Sequence, residues 1–326
     1  MKVLLTGGAG FIGSNIAAYL VELGHQVTVL DNLSTGFLDN IANLIDNSSF
    51  TFVKGDITDL DTCIRVSAGH DVICHQAALG SVPRSVNQPL NSHNSNVNGF
   101  INILEAARTN NIKRVVYASS SSVYGNNTDP IKTEDNIGKE MSPYAVTKHV
   151  DELYAGIYHR VYGIDTIGFR YFNVFGPKQN PIGEYAAVIP KFILGIINKE
   201  SSAVDVYGDG SYSRDFTYIA NVVQANYLAL LTDNPEAYGQ VYNVGTNNNY
   251  TINELIDKLV EVIKIKPAVT YLPNRVGDVP YSRASIDKIV RDLKYNVMYD
   301  FDSGLVMTVE YYLGKYDQRC VDEDVC

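Results

Sequence analysis

The chain has 326 residues, 45% of them hydrophobic and 19% charged, with a formal charge of −10. That is enough for two domains, or one large domain with a lobe, in an ordinary globular composition. The acidic balance argues against a nucleic-acid surface, and no apolar stretch spans a bilayer, so neither nucleic acid nor membrane is an expected partner. Cys63, Cys74, Cys320 and Cys326 form no C-x-x-C pair. No metal site is expected, and a reduced cytoplasmic setting is the default. Cys320 and Cys326 are close enough in sequence to pair, but nothing demands it. Structured chain begins at residue 3, which leaves no room for a signal peptide.

Val3–Thr6 reads as a short buried strand. It enters Gly7-Gly8-Ala9-Gly10-Phe11-Ile12-Gly13, and a helix from about Phe11 to Leu23 follows. Glycines between a strand and a helix let the chain turn sharply and let a pyrophosphate approach the helix N-terminus. His25–Leu30 is the next strand, ending at Asp31. An acid at this distance past the glycines suits the ribose diol of an adenosine and repels a 2′-phosphate, which favours NAD over NADP. The bland alternative is that Asp31 only begins a turn. Phe50–Val53 is the third strand. Asp56 after it either faces the adenine edge or caps the following helix.

Asp71–His75 is the fourth strand, with small Ala77 and Ala78 beyond its tip, where a cofactor could pass. His75 precedes the tip and reads as a packed residue. A helix over about Asn94–Thr109 carries Val97, Ile101 and Leu104 on one face. Lys113–Ser119 is the fifth strand and delivers the hydroxyl cluster Ser120, Ser121 and Ser122 to the carboxyl end of the sheet, where open α/β folds bind ligands. A Ser-rich turn is the competing reading. Ser142 caps a helix from Pro143 to about Tyr162, and Pro143 suits its first position. Tyr144 and Lys148, four residues apart, then share one helix face. A Lys ammonium beside a phenol favours the phenolate, which can take a proton from an alcohol. Asp165–Arg170 is the sixth strand. Strict alternation to this point implies an α/β fold: a Rossmann-type doubly wound parallel sheet.

After Tyr171–Pro177 the rhythm breaks and loops lengthen. A helix near Ala220–Leu231 and a strand near Val241–Val244 are expected to return to the sheet. Thr251-Ile252-Asn253-Glu254 is a capping box. Ala268–Leu272 is a strand, Pro273–Ser282 an irregular loop, and two helices close the chain, with a frayed tail after Tyr316. The division is therefore 1–171 for the NAD-binding unit and 172–326 mainly for a smaller C-terminal substrate-binding region. Arg214 and Arg275 stand in separate loops. Either alone is as readily a surface ion pair. Together, facing a nucleotide fold, they suit the oxygens of a diphosphate. Asn173 and Asp278 are placed to add hydrogen bonds.

Gly7–Gly13, Asp31, Ser120, Tyr144, Lys148, Tyr171–Pro177 and Arg214 together resemble the extended short-chain dehydrogenase/reductases that act on nucleotide sugars. The resemblance covers nearly the whole chain. It is most specific toward bacterial UDP-N-acetylglucosamine 4-epimerases, through Leu79–Ser85, Ser142–Lys148, Tyr171–Gly176, Tyr185–Lys191 and Gly277–Ser282. It implies a tightly bound NAD, a UDP-sugar substrate and a homodimer. It assigns catalysis to Ser120, Tyr144 and Lys148. It assigns cofactor contacts to Gly7, Gly10, Phe11, Ile12, Gly13, Asp31, Asn32, Ser34, Asp56, Ile57, Ala77, Ala78, Asn96, Tyr144, Lys148 and Tyr171. Substrate contacts fall to Gly80, Ser81, Ser121, Ser122, Asn173, Val188, Arg214, Arg275, Asp278 and Ser282. Ser282 is the size gate: a bulky aromatic there restricts the pocket to plain hexoses, whereas Ser admits a 2-acetamido group. Pro280-Tyr281 before it departs from the more polar pair expected. Related 4,6-dehydratases carry Asp-Glu at the positions of Ser121 and Ser122, and glucuronate decarboxylases carry Glu at that of Ser122. Both are disfavoured here. UDP-glucuronate or UDP-glucose 4-epimerases are the nearest alternatives, the former requiring a cation such as Arg84. A non-catalytic NAD-binding sensor would have no need of Ser120, Tyr144 and Lys148.

Overall fold

The computed structural model describes residues 1–182, 186–198, 202–274 and 280–322, the side chains of 316–322 excepted. Seven parallel strands form the central sheet: β1 (Lys2–Thr6), β2 (Gln26–Asp31), β3 (Phe50–Lys54), β4 (Val72–His75), β5 (Arg114–Ser120), β6 (Asp165–Tyr171) and β7 (Gln240–Val244). Their order across the sheet is β3-β2-β1-β4-β5-β6-β7. The order reverses between β1 and β4, where the crevice for a ligand opens at the carboxyl ends of the strands. β7 is the expected return of the C-terminal half to the sheet: Val244 pairs with Tyr171.

Each strand sends alternate side chains to two separate cores. Leu4, Ile73, Val115 and Tyr117 pack beneath the helices Leu60–Ser67, Gly99–Thr109 and Pro143–Tyr162. Leu5, Val29, Cys74, Val116 and Phe169 pack on the opposite face, under Phe11–Glu22 and Ile219–Leu231. Both faces are covered, which explains why the inner strands β1, β4 and β5 read as nearly continuous apolar runs. Cys63 and Cys74 are buried free thiols, and burial pushes both up to about 12.

The Pro143–Tyr162 helix has the expected ends. The Ser142 hydroxyl accepts from Ala145 N–H at 3.1 Å, and Gly163 closes it in the left-handed conformation. The helix expected from Asn94 is regular only over Gly99–Thr109, and Asn94–Asn98 forms a wider π-turn. The capping box of Thr251 and Glu254 is present and opens Ile252–Ile263. The tail differs from expectation: its helix continues from Phe301 to Asp322 rather than fraying after Tyr316.

The C-terminal half adds small sheets beside the crevice. Ser213–Arg214 lies between Tyr250–Thr251 and Tyr281–Ser282, with Ser282 in register with Arg214. Buried Asp215 fixes this corner. It accepts from Thr246 N–H and Oγ1 at 2.9 and 2.8 Å and from Ala284 N–H at 3.1 Å. Among the described residues, no helix is long and apolar enough to cross a membrane.

Candidate active site

A cleft of about 340 Å³ runs along the carboxyl ends of the strands. Gly7, Gly10, Phe11, Ile12 and Gly13 form one end of it, from the turn after β1 into the helix that follows. Gly7 has φ +71°, and a Cβ there would stand 2.6 Å from Ala77 N. A side chain at Gly13 would meet Gly7 O at 2.2 Å. Only glycine allows the turn and the helix to approach this closely, and the backbone is left open to a pyrophosphate. Asp31 ends β2 in the same cleft. Its carboxylate accepts from Ala9 N–H at 3.0 Å and Leu33 N–H at 2.8 Å, so the acid is locked to the glycine turn. Asn32, Ser34 and Ile57 line this end too, and Ala77, Ala78 and Gly80 line the wall after β4. A narrow glycine turn, a fixed acid beyond β2 and a wall of small residues fit an adenine dinucleotide without 2′-phosphate.

Tyr144, Lys148 and Tyr171 line the cleft together with Ala118 and Ser119. Tyr144 N–H donates to Ser85 Oγ at 3.0 Å, which pins the start of the helix to the segment after Gly80. The Lys148 ammonium is almost fully buried. It donates to Ala118 O at 2.9 Å and to Asp151 at 3.2 Å. Tyr171 closes the floor: its hydroxyl donates to Gln76 at 3.1 Å and accepts from Asn226 at 2.8 Å, and burial holds it protonated. His75 is packed, as its position before the strand tip implies. It bonds Thr6 Oγ1 at 2.7 Å and lies against Phe100, and burial pushes its imidazole down to about 3.

Ser120 lines neither cavity itself and lies between Ser119 of the cofactor cleft and Ser121 of a second cavity. Its hydroxyl donates to Ser122 Oγ at 3.0 Å and accepts Ser122 N–H at 3.1 Å. The second cavity, about 250 Å³, is lined by Ser121, Ser122, Asn173, Arg214 and Ser282, with Val82, Lys132 and Met141. A third, about 190 Å³, shares Asn173 and Arg214 with it and adds Val188, Lys191 and Tyr212. The helix starting at Val188 has no side-chain cap, so its first N–H groups remain for an anion. The two cavities thus join at Asn173 and Arg214, and the first of them reaches the serine cluster.

Besides Ser120, three residues expected at the site line none of these cavities. Asp56 bonds Asn32 at 2.8 Å and closes a turn onto Thr58 N–H and Oγ1, both at 2.8 Å. It does not cap the next helix, which Asp59 does. Ser81 caps the Val82–Asn87 helix by accepting from Arg84 N–H. Asn96 is fully buried and braces Leu79 N–H at 2.8 Å against Thr147 Oγ1 at 3.0 Å. Arg275 and Asp278 lie outside the described residues. Lys132 and Met141 went unread in the sequence because they come from an irregular segment with no periodicity, and Val82 because it opens a helix too short to show any. A supporting pair was also missed. Glu152 binds Arg170 through two bonds of 2.9 and 2.8 Å and accepts from Ser119 Oγ at 2.5 Å. The spacing of four from Lys148 to Glu152 was the available signal.

Comparison with known proteins agrees with this geometry. Residues 3–245 match the model of the NAD dependent epimerase/dehydratase family. A putative UDP-glucose 4-epimerase of Methanocaldococcus jannaschii is 39% identical over 279 residues, 85% of this chain and 87% of that one. Among solved structures, the UDP-N-acetylglucosamine 4-epimerase of Methanobrevibacter ruminantium, in complex with UDP-N-acetylmuramic acid, superposes with a TM-score of 0.91. It is 39% identical, with 96% of this chain and 98% of that one covered. The UDP-glucose 4-epimerase of Thermus thermophilus in complex with NAD gives 0.87 at 33% identity, covering 96% and 99%. The chain belongs to the NAD dependent epimerase/dehydratase family, and its cofactor is NAD.

Proposed function

We propose that the protein reversibly epimerises UDP-N-acetylglucosamine and UDP-N-acetylgalactosamine at C4. The observation that carries this reading is the make-up of the cavity beyond the cofactor cleft. Ser121 and Ser122 stand where elimination would need acids, and Ser282 stands where a bulky side chain would exclude an acetamido group.

Bound NAD supplies a hydride acceptor and donor, so that the sugar passes through a 4-keto form and returns as either epimer. Tyr144 takes the proton from the 4-hydroxyl and later gives it back. Lys148 holds the nicotinamide ribose and favours the Tyr144 phenolate by its charge. Ser120 hydrogen-bonds the 4-oxygen as charge develops there. Asn173, Arg214, Arg275 and Asp278 hold the UDP end, aided by the uncapped helix start at Val188. Affinity then resides in the nucleotide, and the ketosugar is left to turn over and present its other face.

A uronate would need a cation at the sugar, and among the described residues the cations lining that cavity are Arg214, which the proposal gives to the UDP end, and Lys132. Arg84 is not among the residues lining that cavity. Lys132 does line it, but its ammonium donates to Asn127 O, Asn127 Oδ1 and Asp129 O at 2.7, 3.2 and 2.7 Å. An ammonium has three N–H groups, so none remains for a carboxylate. A homodimer is part of the proposal, built on the apolar stripe of the Pro143–Tyr162 helix.

The test is to incubate the purified protein separately with UDP-N-acetylglucosamine, UDP-glucose and UDP-glucuronate, and to separate the 4-epimers by chromatography. Formation of UDP-N-acetylgalactosamine is expected. Its absence, with turnover of either other sugar, overturns the substrate assignment.

A further inference from the structure

Lys148 and Asp151 face each other inside the molecule, three residues apart on the Pro143–Tyr162 helix, each side chain 2% exposed. A Lys ammonium has three N–H groups. One goes to Ala118 O at 2.9 Å and one to Asp151 Oδ2 at 3.2 Å. That leaves a single N–H for the cleft that Lys148 lines. The other carboxylate oxygen, Asp151 Oδ1, is buried and has no hydrogen-bond partner. A carboxylate buried with half of its acceptors unused is costly for the fold unless its charge does something there.

We propose that Asp151 is the counter-ion that aims the Lys148 ammonium into the cofactor cleft and limits how much of its charge reaches Tyr144. The inference rests on Lys148 and Tyr144 acting as assigned above. Asp151 is a positioning residue: it lines none of the three cavities and acts only through Lys148. Its acceptor fixes the rotation of the ammonium, which decides where the third N–H is directed.

The charged and titratable groups around the pair are few. Glu152, on the same helix, adds negative charge, but Arg170 binds it through two bonds. Tyr117 from β5 feels the Asp151 charge and is held protonated by burial. His75 from β4 faces Lys148 and stays neutral through burial. Lys148 is therefore the cation left to neutralise Asp151. Burial, opposed by that cation, pushes the Asp151 carboxyl up to about 7. Near neutral pH the carboxyl therefore exchanges its proton. When ionised it cancels part of the ammonium's field. When protonated it leaves that field whole.

Two variants test this. Asp151→Asn keeps an oxygen acceptor and removes the charge. The acid limb of its pH–kcat profile should move to lower pH by about one unit, with its NAD content as purified unchanged. Asp151→Ala removes the acceptor as well, and its NAD content should fall several-fold because the ammonium is no longer aimed. NAD content is read without any sugar substrate, so this arm stands even if the assigned substrate fails. A profile for Asp151→Asn that superimposes on the parent's overturns the electrostatic role. Full NAD content in Asp151→Ala overturns the positioning role. If neither variant yields folded protein, Asp151 is a packing residue and the proposal falls.

Discussion

Asp151 also carries a consequence for stability. Its ordinary value is 3.8 and its folded value about 7, so the folded state binds the proton more tightly than the open chain. The sign follows from that order. Below 3.8 both states hold the proton and the group is neutral for stability. As pH rises through about 4 to 7 the unfolded chain ionises first, and stability is lost. At pH 8 the penalty is about 4 kcal/mol. The attraction of Lys148 is already included in the raised value, so burial wins over pairing here. Asp151→Asn should therefore raise Tm at pH 8 by about 5 °C, and the gain should vanish near pH 4. Paired calorimetric scans check this, and equal Tm values at pH 8 contradict it. Tyr144 gives a second prediction. Removing its hydroxyl by Tyr144→Phe should lower kcat by about 10²- to 10⁴-fold, while the NAD content as purified stays near that of the parent. Ser282 gives a third. It is 8% exposed and in register with Arg214, so Ser282→Tyr places a ring directly in the sugar cavity. Turnover of UDP-N-acetylglucosamine should fall by a larger factor than turnover of UDP-glucose, and equal losses would remove the gate.

At the scale of elements, the Pro143–Tyr162 helix is held to the sheet by a buried ion pair as well as by apolar packing. Glu152 and Arg170 are 6% and 5% exposed, and Arg170 also donates to Tyr124 at 3.1 Å and to Glu134 O at 2.9 Å. Glu152→Gln leaves the guanidinium buried without its counter-charge. The cost should be about 3–5 kcal/mol, seen as a lower denaturant midpoint with an unchanged slope. This helix was also the most legible in the sequence. Its bounds follow from Ser142, Pro143 and Gly163, whose chemistry is local. The central strands were legible because both of their faces are buried and they are rich in β-branched and other apolar residues. What was not legible depends on long-range partners. Asp56, Ser81 and Asn96 are short polar residues next to the cleft, and such residues serve equally as ligand contacts or as turn locks. Local backbone donors at Thr58, Arg84 and Leu79 give each of them a structural role that residue type alone does not announce. Lys132 reaches the second cavity because its own N–H bonds Arg283 O, a pairing across about 150 residues that no local pattern announces. Asp151 was passed over for the opposite reason. On a helix face an acid three residues after a Lys reads as an exposed pair, and only the sheet above it makes it buried.

For the whole molecule, the two cores account for the sheet and its covering helices but leave one surface unfinished. Leu153, Ile157 and Val161 recur at intervals of four on the Pro143–Tyr162 helix, at 58%, 45% and 63% exposure. They form a stripe on the side facing away from the sheet. Val86 and Leu90, on the short helices packed beside it, extend the same surface. Isolated exposed apolar residues are ordinary, but a continuous stripe of this length is not. A second copy of the chain is the partner proposed for it, because a two-fold axis brings each stripe against its own image and doubles every contact. Full burial of one such side chain contributes about 1.5–3 kcal/mol, and these three are already about half buried, so they contribute to the contact while the wider surface with Val86 and Leu90 must supply the rest. Light scattering behind size exclusion should give about twice the 36.0 kDa chain mass. The double substitution Leu153→Glu and Ile157→Glu puts like charges across the axis and should give the single-chain mass, with the far-ultraviolet spectrum retained. The opposite face of this helix brings Tyr144 and Lys148 to the cofactor cleft, so separation of the pair should also loosen that cleft. NAD content as purified should fall together with the mass, and a single-chain species that keeps its full NAD would show the two faces to be independent.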